Sequence, residues 1–220
     1  MLKKKLRTFL ERLARKRAFR KKIARCDGDL KVILGAGPTK QDGWIETNFP
    51  DIDITDKKSF AKFFPRRNVN IFLAEHVWEH LTIEESFIAL KNCYDYLMPG
   101  GLLRVAVPDG FHDDQEYINY VKPGGTGIGS DDHQVLYNYQ TLSDLFKKAG
   151  FEITVLEFFD ENGIFNYQEW TIDNGFVVRS TRFDPRNTIN KTAYTSLIVD
   201  GVKPGKPKRN LKISKVSTGK

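Results

Sequence analysis

Cysteines and long apolar runs are both scarce in this sequence. Two cysteines occur among the 220 residues, Cys26 and Cys93, and their spacing matches neither a metal site nor a redox motif. No apolar run approaches the length of a transmembrane helix, and the first residues lack the apolar segment of a secretory signal peptide. We therefore expect a cytoplasmic protein in a reducing compartment.

Acidic residues are nearly absent from both ends of the chain. Residues 1–26 contain twelve Lys or Arg and one acidic residue, and residues 203–220 contain seven Lys or Arg and no acidic residue. Because the whole chain carries a net charge of +7, residues 27–202 carry −11. An acidic body offers no basic surface for phosphates, so nucleic acid is a disfavoured partner. The basic ends point to an anionic partner that they contact themselves.

The charge distribution and the length suggest one domain with additions. The expected organisation is a basic N-terminal helix (1–27), a globular domain (28–202) and a basic C-terminal tail (203–220). The first half of the helix is amphipathic, with one apolar face: Leu2, Leu6, Phe9, Leu10 and Leu13. Such a helix suits peripheral binding to an anionic membrane surface. The alternatives are docking on the acidic body as a cover for the site, and an RNA-binding arm.

A strand, a polar turn, a helix and a second strand follow one another in the middle of the chain. Val69 to Ala74 is an apolar run that suits a strand buried on both faces. Thr82 and Glu85 form a capping box for the next helix, which we expect to stop at Pro99-Gly100-Gly101. Leu102 to Val107 predicts the second strand. This pattern indicates a βαβ unit of an open α/β sheet, whose sites lie at the carboxyl ends of the strands.

An earlier strand, Leu30 to Leu34, leads directly into Gly35-Ala36-Gly37. A Gly-x-Gly turn in this position lets the backbone approach a nucleotide-like ligand closely. The next predicted strand, Trp44 to Thr47, follows after too few residues for a helical crossover. We therefore expect the first crossover helix of the doubly wound fold to be missing.

Four motifs in chain order carry a family resemblance: LGAGP, DGWIETN, AEHVWEHL and YLMPGGLLRVAVPD. Together they resemble the small S-adenosylmethionine-dependent methyltransferases of the Rossmann-like class, of the bacterial predicted methyltransferase type. The resemblance implies a doubly wound, mostly parallel sheet of seven strands with a terminal antiparallel hairpin. Phe151 to Phe159 and Tyr194 to Val202 would form that hairpin, with residues 160–192 as an insertion over the substrate side or as an edge hairpin with a packing role.

The same resemblance implies S-adenosylmethionine as cofactor and a set of residues around it: Gly35, Ala36, Gly37, Asn48, Asp53, Ile54, Glu75 and His76. Asn48 departs from the family, which usually has a carboxylate for the ribose hydroxyls at the end of the second strand. A neutral amide binds these hydroxyls more weakly than a carboxylate does. Either binding is weaker, or Glu46 or Asp51 substitutes, or the chain is a catalytically silent cofactor-binding or scaffold protein.

Methyl transfer requires the protein to orient the acceptor and, where the acceptor is a hydroxyl group, to remove the hydroxyl proton. The candidate catalytic residues lie after predicted strands or in loops: His76, His80, Asp109 and His133. A small molecule or a glycan precursor is the expected acceptor, and no metal is expected.

One rival interpretation comes from another enzyme class. His76-Val77-Trp78-Glu79-His80 matches the His-x-x-Glu-His pattern of inverted zinc metalloproteases. That chemistry needs both histidines on one helix turn, directed at one metal. The capping box instead begins the helix at Thr82, after both histidines, and this disfavours a zinc metallohydrolase.

Overall fold

The structure is a computed structural model that describes residues 2–26, 28–66, 68–188 and 193–205. Among the first fifteen residues it describes the side chains of Arg7, Leu10, Leu13 and Ala14. The predicted C-terminal tail lies outside the described residues from position 206 onwards.

Helices and strands alternate along most of the chain. The helices are α1 (Leu2–Ala24), α2 (Lys57–Phe63), α3 (Ile83–Tyr96), α4 (Gln115–Val121) and α5 (Tyr139–Ala149). The strands are β1 (Lys31–Leu34), β2 (Trp44–Glu46), β3 (Val69–Glu75), β4 (Leu97–Pro108), β5 (Glu152–Phe159), β6 (Phe165–Tyr167) and β7 (Ser196–Val202). Short 3-10 turns lie at Trp78–His80, Ser130–Asp132 and Ile172–Asn174.

The strands form one sheet in the order β2-β1-β3-β4-β7-β5-β6. The pairs on either side of β1, and the pair β3–β4, are parallel, whereas β7 is antiparallel to both β4 and β5. The short edge strand β6 is antiparallel to β5. The predicted α/β class, the mostly parallel seven-stranded sheet and its terminal antiparallel hairpin are confirmed.

The first crossover helix is missing, as predicted. Residues 35–43, all of them described, connect β1 to β2 through turns and contain no helix. A parallel sheet needs cover on both faces. One face packs on α2, α3 and α5 through side chains that include Val32, Phe72 and Val105. The opposite face, with Ile33 and Leu73, is covered by the irregular chain that follows β6: Trp170, Val177 and Phe183.

A buried ion pair fixes that irregular chain on the sheet. The Arg104 guanidinium on β4 donates two hydrogen bonds of 2.7 Å to the carboxylate of Asp200 on β7. Its remaining nitrogen donates to the carbonyl oxygens of Thr171 and Gly175, at 2.9 and 2.7 Å. The arginine is 1% exposed, so its guanidinium interacts with these protein groups and not with solvent. Its hydrogen bonds to the two carbonyls position the covering segment on the sheet.

Helix α1 packs on the body through its C-terminal part. The Phe19 ring contacts the Phe63 ring edge-on, with 4.9 Å between the ring centroids. Lys22 donates to the Trp44 carbonyl and approaches the Glu46 carboxylate at 3.3 Å. Leu10 and Leu13, further towards the N-terminus, are exposed. No helix in the described part of the chain is both long and apolar enough to cross a membrane.

One element boundary differs from the predictions. Strand β4 begins at Leu97, before Pro99-Gly100-Gly101, because the Gly100 and Gly101 backbone pairs with Lys203 just after β7. Helix α4 begins at Gln115, where the Asp114 side chain accepts the N–H groups of Glu116 and Tyr117.

Candidate functional site

Two adjacent cavities open at the carboxyl ends of β1 and β3. The first, of about 600 Å³, is the glycine-turn cavity, lined by Gly35, Ala36, Gly37, Glu75, Glu79 and His133 among others. The second, of about 620 Å³, is the Asn48 cavity, lined by Asn48, Asp53, Ile54 and Asp132 among others. Gly35, His76 and His80 line both. Strand order reverses at β1, and α/β folds bind their ligands at such a switch point.

The glycine turn has the backbone geometry that favours glycine. Gly35 and Gly37 have φ angles of 64° and 54°, in the left-handed region. The Ala36 N–H donates to the Thr47 carbonyl at 2.9 Å, which ties the turn to the end of β2. A side chain at Gly37 would enter open space, whereas a Cβ at Gly35 would lie 2.5 Å from Val77 Cγ2. Gly37 therefore presents bare backbone to the cavity, and Gly35 allows close packing of Val77.

Asn48 supports the glycine turn directly. Its Oδ1 accepts the Gly37 N–H at 2.8 Å, which leaves the amide NH₂ as its remaining polar group. Neither predicted substitute, Glu46 or Asp51, lines either of the two cavities. Glu46 instead lies 3.3 Å from the Lys22 ammonium. Asn48 is thus the residue at the end of β2 that faces this site.

Asp53 and Ile54 form the far wall of the Asn48 cavity. The Asp53 Oδ1 accepts hydrogen bonds from the backbone N–H and the hydroxyl of Thr55, at 2.9 and 2.7 Å. Asn92 on α3 donates to the Ile54 carbonyl at 2.9 Å. These contacts fix the conformation of the loop that carries Asp53 and Ile54.

Glu75 holds the insertion against the end of β3. Its two carboxylate oxygens accept the N–H groups of Val178 and Arg179, at 3.0 and 2.8 Å. The Arg179 guanidinium also lies 3.6 Å from the Glu75 carboxylate. Residues 178–186 consequently form one wall of the glycine-turn cavity.

His76 is held in an unusual backbone conformation beside Glu75. It is the non-glycine residue with a positive φ, 53°, in the described part of the chain. Its Nε2 lies 3.0 Å from the Ser196 hydroxyl and its Nδ1 lies 3.0 Å from Glu79 Oε1. Nε2 is therefore hydrogen-bonded to the protein, and Nδ1 lies close to the Glu79 carboxylate.

His80 and His133 meet at the other side of the glycine-turn cavity. Their rings are perpendicular, with 4.7 Å between the centroids. The Glu79 carbonyl accepts the N–H groups of Gln134 and Val135, which brings His133 to the turn that carries His80. Of the predicted catalytic residues, the structure brings together His76, His80 and His133.

Asp109 lies apart from the two cavities, contrary to its predicted place among the site residues. It is fully buried, and its carboxylate accepts the N–H groups of Phe111 and Phe159 at 3.0 and 2.7 Å. Burial raises the pKa of Asp109 to about 6, although both hydrogen bonds act in the opposite direction. The side chain joins the end of β4 to the end of β5, a structural role.

The zinc metalloprotease pattern does not have its required geometry. Trp78–His80 is a single 3-10 turn, and His76 precedes it in the left-handed conformation. The two histidines of the motif therefore do not share one α-helical turn.

Two arginines of the site have no specific signal in the sequence. Arg179 and Arg186 line the glycine-turn cavity from the insertion. Arg186 pairs with the Asp184 carboxylate at 2.6 Å and lies over the Tyr194 ring at 3.6 Å. The sequence predicted only that residues 160–192 cover the substrate side, and it did not indicate which side chains of this segment would reach the cavity.

The chain matches no protein-family model and no curated protein sequence. Several solved structures are similar to it. An S-adenosylmethionine-dependent methyltransferase from Archaeoglobus fulgidus is 15% identical, with a TM-score of 0.46, 87% of this chain covered and 93% of that chain. A methyltransferase from Thermotoga maritima, titled a possible histamine N-methyltransferase, is 16% identical, with a TM-score of 0.45 and coverage of 92% and 96%. An O-methyltransferase family protein from Burkholderia thailandensis is 10% identical, with a TM-score of 0.44 and coverage of 87% and 57%.

The structural role of Asp109 predicts a pH-dependent difference in stability. Because its pKa in the folded state lies above the usual 3.8, folding binds a proton between about pH 4 and pH 6. Raising the pH through this window should lower the contribution of Asp109 to stability, by at most about 3 kcal/mol. Urea unfolding of the parent and of Asp109→Asn should therefore give a difference in free energy that changes across the window. A constant difference from pH 4 to pH 7 would contradict the raised pKa.

Proposed function

We propose that this chain is an S-adenosylmethionine-dependent methyltransferase that acts on a small molecule or a glycan precursor. The observation that carries the proposal is the bare glycine turn at the switch point of the sheet, between two cavities. The glycine-turn cavity would take the methionine part of the cofactor and the acceptor. The Asn48 cavity would take the adenosine part, with Asn48 towards the ribose and Asp53 and Ile54 towards the base.

The side chains around the glycine-turn cavity suit the demands of methyl transfer. When bound, S-adenosylmethionine supplies a methyl group already activated on a sulfonium. The protein then needs to orient the acceptor and exclude water. Val178, Arg179, Asp184, Pro185 and Arg186 form one wall of this cavity. His80 and His133 line the same cavity, and we expect them to orient the acceptor.

A second candidate function is a cofactor-binding protein without catalysis. Asn48 favours it, because the neutral amide offers the ribose hydroxyls a weaker partner than a carboxylate does. The two proposals share the cofactor site and differ in turnover. Binding of S-adenosylmethionine, with transfer of a labelled methyl group to extracts of small molecules or glycans, separates them.

We also propose that α1 attaches the protein to an anionic membrane surface. At 100° per residue, Leu10 and Phe19 lie on opposite sides of the helix. Phe19 packs on α2, so the side with Leu10 and the exposed Leu13 faces away from this contact. An exposed apolar side with basic residues around it matches an interfacial helix. The C-terminal part of the same helix packs on the body, and no described residue of α1 lines either cavity, so this packing is compatible with membrane attachment and does not cover the site.

The cofactor site is tested by two matched glycine substitutions. Gly37→Ala places a methyl group in the cavity, and we expect it to weaken S-adenosylhomocysteine binding at least tenfold in calorimetric titration. Gly43→Ala is the control, because Gly43 also has a positive φ and open space around it but lines neither cavity. Both variants should lose about 1–2 kcal/mol of stability from backbone strain. Equal affinities in the two variants would place the cofactor elsewhere. Gly35 is unsuitable, since its Cβ would displace Val77.

The ribose assignment is tested at Asn48. In Asn48→Asp one carboxylate oxygen can keep the Gly37 N–H, and the other offers an acceptor in place of the amide NH₂. Cofactor binding should tighten by about 1 kcal/mol, roughly fivefold, because charged acceptors form stronger hydrogen bonds. Asn48→Ala should weaken binding, since it releases the glycine turn. Unchanged or weaker binding by the aspartate variant would remove Asn48 from the ribose position.

The membrane proposal is tested with a substitution that preserves charge. The full-length protein should co-sediment with vesicles that contain phosphatidylserine, more strongly at low salt than at high salt. Leu10→Gln with Leu13→Gln removes apolar area but no charge, and should reduce the bound fraction at least tenfold. Cofactor affinity, measured on the same samples, should not change. Sedimentation equal to that of the parent, or none by the parent, would refute the interfacial role of α1.

A further inference from the structure

A buried carboxylate without a hydrogen bond lies at the edge of the glycine-turn cavity. Glu79 is 1% exposed, and neither of its carboxylate oxygens makes a hydrogen bond in the described structure. His76 Nδ1 lies 3.0 Å from Oε1, at an angle unsuited to a hydrogen bond. Leaving a carboxylate buried in this state is costly, because the charge loses its hydration and gains no donor. Such a group indicates a missing cationic ligand.

The other buried carboxylates differ from Glu79 because each accepts hydrogen bonds from the protein. Asp109 accepts two backbone N–H groups, and Asp200 accepts two bonds from Arg104. Glu157 accepts hydrogen bonds from Trp170 Nε1, the Thr181 N–H and the Thr195 hydroxyl. Asp184 pairs with Arg186. Among the buried carboxylates of the described residues, Glu79 alone has no hydrogen-bond donor.

Two histidines each have a ring nitrogen close to the Glu79 carboxylate. His133 Nδ1 lies 2.7 Å from the Val121 carbonyl oxygen, which fixes the proton on Nδ1 and leaves Nε2 as an acceptor. Asp132 Oδ1 lies 2.8 Å from His80 Nδ1, so a carboxylate lies beside this ring. A carboxylate or carbonyl behind Nδ1 is the usual arrangement around a metal-ligating histidine.

We propose that Glu79, His80 and His133 bind one divalent transition-metal ion of the Zn²⁺ type. One ligand atom from each lies within 4.8 Å of the other two. Ligand atoms of a tetrahedral zinc ion are about 3.4 Å apart, so side-chain shifts of about 1 Å close the site. Two imidazoles and one carboxylate favour Zn²⁺, Co²⁺ or Fe²⁺ over Mg²⁺ and Ca²⁺, which prefer oxygen ligands.

This ligand set differs from the His-x-x-Glu-His pattern. His76 is not a member, because its Nε2 is engaged by Ser196. The third ligand, His133, is more than fifty residues further along the chain and is brought in by the hydrogen bonds of Gln134 and Val135 to the Glu79 carbonyl. No spacing motif in the sequence joins these three residues.

Three protein ligands leave a zinc ion one open position for water or for a substrate atom. All three proposed ligands line the glycine-turn cavity, so the open position would face the proposed acceptor. The acceptor class would then be one with a hydroxyl or carboxylate oxygen able to coordinate the metal. This extension rests on the proposed function, whereas the metal site itself does not.

The test is a metal titration of the full-length, untagged protein after treatment with a chelator and without S-adenosylmethionine. Co²⁺ should produce visible absorption bands at a stoichiometry of one, and Zn²⁺ should abolish them by competition. His133→Ala and Glu79→Gln should each weaken Co²⁺ binding at least 100-fold. Asp131→Asn is the control, because Asp131 is an exposed carboxylate beside Asp132 that belongs to no part of the site, and it should bind as the parent does.

Thermal unfolding separates ligand loss from misfolding. Glu79→Gln removes a buried charge without breaking a hydrogen bond, so the variant should be folded and at least as stable as the metal-free parent. No binding of Co²⁺ or Zn²⁺ by the folded parent would overturn the proposal, as would parental affinity in either ligand variant. S-adenosylhomocysteine titration on the same samples shows separately whether the cofactor site is functional.

Discussion

The buried pair between Arg104 and Asp200 is the interaction on which the second face of the sheet depends. With no helix between β1 and β2, an irregular segment covers that face, and such a segment carries many backbone polar groups. Arg104 satisfies two of them, the carbonyls of Thr171 and Gly175, while Asp200 balances its charge. Breaking such a pair from one side leaves a buried charge without a partner, which costs about 3–5 kcal/mol.

The same cover also builds the candidate site. Beyond Gly175 the segment is held by Glu75, which accepts the N–H groups of Val178 and Arg179 at the end of β3. Glu157 holds it again through the N–H of Thr181. The residues that complete the core therefore continue directly into the wall of the glycine-turn cavity. The absence of the first crossover helix and the shape of the cavity are thus linked, because the segment that covers the sheet in place of the helix also lines the cavity.

The parts of the fold that local signals determine could be predicted from the sequence. The Thr82 and Glu85 capping box, the buried strands and the short β1–β2 connection depend on neighbouring residues, and the structure has all three. Arg104 and Asp200 are 96 positions apart, and no local pattern pairs them. Asp109 was a candidate catalytic residue because it follows a strand, but its carboxylate accepts the N–H groups of the neighbouring Phe111 and of the distant Phe159, and the latter contact has no local signal. The eight cofactor-binding residues that the family resemblance implied all line the two cavities, although hydrophobic periodicity alone would have located only the strands before them.

Two exceptions to ordinary protein chemistry lie close together at this site. His76 is the non-glycine residue with a positive φ among the described residues, and Glu79 is a buried carboxylate without a hydrogen-bond donor. The other buried carboxylates of the described residues each accept two or more hydrogen bonds, as Glu157 does. The lack of a donor at Glu79 is therefore specific to this site. Strain and unsatisfied polarity cost stability, and folded proteins keep them where a ligand makes use of them. Both residues follow β3, whose carboxyl end flanks the switch point, so the energetics of the chain and its topology indicate the same site.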